Sequence, residues 1–159
     1  MATIEIARIL ADYAPHRSIW FLFCNEEHTP WTSVAAAQSL VASDLQVTAV
    51  INLDGLGAKP AETAGRMTNW TRYTTPEGEA PADLMAEMNE RYNIGLEQHS
   101  DTAERPDDDD GSFILAGIPN AVLNAGSIPY GDPYYHSPKD RPERVDWCNV
   151  YLATRLTLA

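Results

Sequence analysis

The stretch that decides the fold is "SIWFLFCNEEHTPW", residues 18–31. Its first half, Ser18 to Cys24, is continuously apolar and aromatic, the pattern of a strand buried on both faces. It runs directly into Glu26, Glu27 and His28. Open α/β sheets bind ligands at strand ends. Two adjacent carboxylates there repel each other unless something positive sits between them, and a metal ion is the obvious candidate.

The same pattern recurs along the chain. "QVTAVINLD", residues 46–54, is a second β-branched, nearly all-apolar strand; it ends on Asp54 and is broken by "GLGAKP". A third buried strand is predicted around Ala121 to Leu123, after a short helix or turn in "SFILAGIPNAVLNAG". It leads into the long Pro- and Gly-containing loop "SIPYGDPYYHSPKDRPER", which carries His136. "RMTNWTRYTT" is a weaker strand candidate.

Helical spacing fills the intervals. Residues 3–13 place Ile6, Ile9, Leu10 and Tyr13 on one face. Thr32 or Ser33 is positioned to cap "SVAAAQSLVAS". "PADLMAEMNERYNIGLEQ" reads as a helix with Pro81 near its start. A last helix begins near Pro142, with Val145, Cys148, Leu152 and Leu156 on one face. Buried strands joined by helices predict an α/β fold with three αβα layers and a mainly parallel, mixed sheet. No repeat or linker divides residues 1–159, which are expected to form a single domain.

The formal net charge of −12 argues against nucleic acid and anionic membranes as partners and favours cations. No apolar run is long enough to cross a bilayer, and "MATIEIARILADYAP" is amphipathic rather than a secretory leader. The two cysteines, Cys24 and Cys148, lie in no CxxC motif and read as free or buried thiols. The aspartate run 107–110 reads as a solvated loop, since it lacks the alternating oxygen-ligand spacing of a calcium loop.

The predicted topology brings Glu26, Glu27, Asp54 and His136 to one edge of the sheet. Carboxylates and a histidine converging there make a zinc-type donor set. Taken singly, each has a plainer reading: an exposed acid pair, a turn cap at Asp54, a solvated loop histidine.

Four stretches now carry a resemblance. "SIWFLFCNEEHTPWTS", "VINLDGLG", "DDGSFILAGIPNAVL" and "YYHSPKDRPERVD" are similar, in order, to segments of the di-zinc aminopeptidases of the bacterial leucyl aminopeptidase type, a group that includes glutaminyl cyclases. The resemblance covers nearly the whole chain. It implies a zinc-dependent hydrolase acting at a peptide N-terminus. Glu26 would be the general base taking a proton from water, Glu27 and His136 ligands of one zinc, and Asp54 a ligand of the other. Asp140 would support the histidine. Tyr135 and His28 would lie beside the site, and Trp31, Tyr130, Tyr134 and Tyr135 could wall an apolar pocket.

The family's five-ligand set also needs a histidine in a His-x-Asp motif and a bridging aspartate in an Asp-Asn-x-x-Gly turn, both upstream. No His-x-Asp occurs here, and "ATIEIARIL" resembles the segment just after the turn. Where many members have a histidine after the aspartate, this chain has Asp110 followed by Gly111. The expectation is therefore a partial aminopeptidase-like domain, truncated at its N-terminus, with one or two zinc ions in question. Activity as a single chain would be weak or absent, with a non-catalytic role in assembly or binding as the alternative. A homodimer, or a partner chain completing the sheet, is expected to cover the open edge.

Overall fold

The computed structural model describes residues 1–25, 30–60, 63 and 65–159. Five helices and four strands alternate along the described chain: α1 (Ala2–Ile9), α2 (Val34–Ala42), β1 (Val50–Leu53), β2 (Thr68–Tyr73), α3 (Glu79–Arg91), β3 (Glu97–Thr102), α4 (Asp110–Leu115), β4 (Ala121–Ala125) and α5 (Trp147–Leu158). The sheet order is β1-β4-β2-β3. β1 pairs with β4 and β2 with β3 in parallel, while β2 meets β4 antiparallel. The sheet is mixed and mainly parallel, as expected.

Strand alternation builds the layers. Ala121 of β4 packs with Ala37 of α2, Phe113 of α4 and Ile118. On the opposite face Leu96 packs with Met85 of α3, Ile94 and Leu156 of α5. Helices therefore cover both faces. That second face also carries a polar layer. Thr71 Oγ1 donates to Asn124 Oδ1 at 2.6 Å, and Gln98 Nε2 donates to Thr71 Oγ1 at 3.0 Å. Thr71 and Asn124 sit opposite each other in the β2–β4 register.

Ser18 to Cys24 departs from expectation. It is not a strand of this sheet, and Ile19, Trp20, Leu22 and Phe23 are all exposed. A continuous apolar run becomes a buried strand only when a ladder and two covering layers are supplied, and this stretch has neither. A second departure is β3. The sequence "EQHSDT" has no apolar alternation, and its first residues read as the tail of α3. Asn93 (φ 47°) and Gly95 (φ 92°) end the helix earlier and turn the chain into β3.

The terminal helices are rotated from the predicted faces. α1 buries Ala2 and Ile6, whereas Ile9 and Tyr13 are exposed. α5 starts after a short 3-10 turn at Pro142–Arg144, and Cys148 faces solvent while Asn149 is fully buried. Asn149 explains the rotation. Its amide donates to Leu56 O at 2.6 Å and Thr68 O at 2.9 Å, and its Oδ1 accepts from Thr68 N–H at 2.8 Å. That polar anchor joins α5 to β2 and to the turn after β1, which apolar spacing alone does not register. Both cysteines are free and exposed. No helix among the described residues is long and apolar enough to cross a membrane.

Candidate active site

Because β1 and β4 are parallel, their C-terminal ends lie side by side. Asp54 leaves β1 with its N–H on Asn124 O at 3.1 Å, and Gly126 N–H closes the pair on Gly55 O at 3.2 Å. Gly55 has φ 55°, and a Cβ there would lie 2.6 Å from Tyr130 Cε1. Glycine is needed at this turn both for its backbone and for the ring that covers it.

Tyr130 reaches two carboxylates. Its hydroxyl lies 3.3 Å from Asp54 Oδ2 and 3.5 Å from Asp108 Oδ2. Its ring stacks on Tyr135 at 5.7 Å between centroids, and Tyr135 stacks on His136 at 3.8 Å. His136 itself is exposed and holds φ 55°. The loop histidine is thus connected to the strand-end aspartate through two aromatic rings.

Asp108 is the residue the sequence reading missed. It is 3% exposed, not solvated as the aspartate run suggested. Asn52 Nδ2 donates to its Oδ1 at 2.6 Å, and Asp109 N–H donates to the same oxygen at 2.7 Å. Burial, with the charge of Asp54 nearby, raises its carboxyl to about 7 against these two donors. Asp110 is 2% exposed and is also raised to about 7, by burial and then by the charges of Asp108 and Asp107. Its Oδ1 has no hydrogen-bond partner among the described residues. Burial and the charges of Asp54 and Asp108 likewise push the Tyr130 phenol up. Asp109 accepts from Ser33 Oγ, which is also 2.7 Å from Ser112 Oγ. Ser33 therefore ties α2 to α4 and makes no side-chain capping bond.

The other expected residues fall as follows. Glu26, Glu27 and His28 lie outside the described residues. Asp140 is exposed, and its N–H donates to Ser137 O at 3.0 Å. Of the predicted pocket wall, Trp31 packs on Gly111, and Tyr134 lies under the Arg144 guanidinium at 3.5 Å. Only Tyr130 and Tyr135 join the stack toward His136.

These donors fit a divalent cation by their chemistry. Two acids, one of them buried, share a single hydroxyl proton, and a cation would offset the repulsion between their carboxylates. The fit is partial. Among the described residues no three His, Cys, Asp or Glu side chains are grouped so as to hold a metal ion.

The sequence model of peptidase family M28 matches residues 1–159. The chain belongs to peptidase family M28. Solved structures similar to this M28 chain include the LapA aminopeptidase of Legionella pneumophila, at 20% identity and a TM-score of 0.81, covering 99% of this chain and 43% of that one. BSAP, a zinc aminopeptidase from Bacillus subtilis, aligns at 20% identity and a TM-score of 0.69, with 99% and 38% covered. An aminopeptidase from Aneurinibacillus sp. strain AM-1 aligns at 18% identity and a TM-score of 0.69, with 99% and 36% covered. The M28 chain spans about two fifths of the length of these proteins. At such identities the likeness establishes the fold. No curated protein is significantly similar in sequence.

Proposed function

We propose that this chain contributes to a zinc-dependent aminopeptidase, removing residues from peptide N-termini, and that the chain alone hydrolyses weakly. The observation that carries the reading is the family match over the whole chain. It is supported by two acids, Asp54 at the end of β1 and Asp108 just ahead of α4, joined through Tyr130 and Tyr135 to His136. Glu27, Asp54 and His136 would hold metal. Bound zinc would supply a Lewis acid for the peptide carbonyl and a lowered pKa for water. Glu26, the neighbour left off the metal, would take the proton from water and later return it to the leaving amine.

A non-catalytic role in assembly is the second reading. The exposed apolar residues Ile19, Trp20, Leu22 and Phe23 support a second copy, or a partner chain, as their cover. Sedimentation at tens of micromolar tests that part, and a monomer would count against it. Elemental analysis after dialysis against trace zinc tests the reading as a whole. About one zinc per chain, with slow release from aminoacyl anilides, is expected. Zinc without hydrolysis would select the assembly role, and no zinc would sink the metallopeptidase reading.

A further inference from the structure

We infer that Tyr130 is a positioning residue, tying the Asp54 carboxylate at the end of β1 to the orientation of the His136 ring in the following loop. The inference deepens the zinc reading and rests on it for its metal consequences only.

Asp54 and His136 lie 82 residues apart in sequence (136 − 54), and both sit outside the helices and strands. Asp54 is the first residue after β1, with a turn at Gly55 behind it. His136 sits in a loop without regular structure, with a left-handed backbone and an exposed ring. A metal site needs such groups held to within a fraction of an ångström. Tyr130 is placed to do so. Its ring lies on Gly55, where any side chain would strike it. Its hydroxyl reaches Asp54 Oδ2 and Asp108 Oδ2, and having one proton it can donate to only one of them at a time. Its ring also stacks on Tyr135, whose ring stacks on His136.

The loop is anchored independently of the tyrosine. Gly131 packs directly on Pro60, and Ser127 Oγ donates to Ala58 O at 3.3 Å. The main chain therefore has other holds on the body. The stack adds the orientation of the side chains. Offset aromatic pairs add a modest attraction beyond their burial, enough to bias ring rotamers without deciding the fold. The hydroxyl and the ring thus have separable jobs: the hydroxyl steadies Asp54, and the ring steadies His136 through Tyr135.

Two variants separate these jobs. Tyr130→Phe keeps the ring and removes the hydroxyl. Tyr130→Leu removes both. In the metal-free chain, NMR signals of the His136 ring are expected to stay near wild type in Tyr130→Phe and to shift away from wild type in Tyr130→Leu, which breaks the stack. Zinc affinity, measured by competition with a chromophoric chelator, is expected to fall about tenfold in Tyr130→Phe and further in Tyr130→Leu. Unchanged His136 signals in a folded Tyr130→Leu would overturn the inference, as would equal zinc affinity in all three chains. Failure of the wild-type chain to bind zinc would overturn the metallopeptidase reading, while the His136 signals would still decide the positioning role.

Discussion

Asn52 and Asp108 meet across 56 residues of sequence, the amide of one donating at 2.6 Å to the carboxylate of the other. Asn52 lies in β1 two residues before Asp54, so the strand that ends on one acid also holds the second. A hydrogen bond to a charged group is worth about 1.5–3 kcal/mol, more than a neutral one. Asn52→Ala is expected to destabilise by about 2 kcal/mol at pH 8, where Asp108 is ionised, and by less at pH 5. Urea titrations at the two pH values check this. An equal loss at both would show that the bond does not depend on the charge.

Asp108 and Asp110 give the metal-free chain an unusual pH dependence. Both carboxyls are raised in the fold to about 7, against an ordinary value of 3.8. Between those values the folded chain holds protons that the unfolded chain has released, so stability falls as pH rises from about 4 to 7 and levels off above. Asp110→Asn is expected to add on the order of 4 kcal/mol at pH 8 and nothing at pH 4, since a rise of roughly 3 pKa units at about 1.4 kcal/mol per unit gives that figure. Thermal melts across this range are the check. A variant curve parallel to wild type would contradict the assignment.

Asn149 makes three buried hydrogen bonds, two as donor and one as acceptor. Removing them strands two carbonyls and one N–H at a site that is 0% exposed. Asn149→Ala is expected to cost about 3 kcal/mol or more. Asn149→Asp should also destabilise, because it turns the donating amide into an acceptor facing two carbonyl oxygens. Comparing chemical denaturation of the two variants distinguishes lost volume from reversed polarity.

The proposed roles of the glutamate pair make opposite predictions. Glu27→Ala and His136→Ala should each weaken zinc binding about tenfold or more. Glu26→Ala should bind zinc nearly as wild type while losing whatever hydrolysis the chain has. Retention of zinc in Glu27→Ala together with its loss in Glu26→Ala would exchange the two assignments.

The fold was most legible where apolar patterning and turn residues agree. β1, β4 and α3 declare themselves in this way, and Asp54 at the end of "VINLD" followed from the strand. β3 was hidden because an edge strand with one side facing water needs little apolar sequence. Ser18 to Cys24 misled for the opposite reason: its composition suits a strand, but pairing is a property of neighbours that local sequence does not contain. Asp108 was hidden in a run of four aspartates, where two are buried and Asp107 is exposed. A trace of it was present in Asn52. A polar amide inside an apolar strand needs a partner, and an acid at the same sheet edge is a fitting one.

The two margins of the sheet differ in character. β3 closes one side with Glu97 and Asp101, each paired to an arginine, Arg66 and Arg72. Charged hems of this kind discourage a further strand from annealing. β1 forms the other margin with "VINL", and its Ile51 is 38% exposed. Lateral growth of this sheet therefore has a direction: it is blunted by ionic pairs beyond β3 and left permissive beyond β1, on the flank that ends at Asp54.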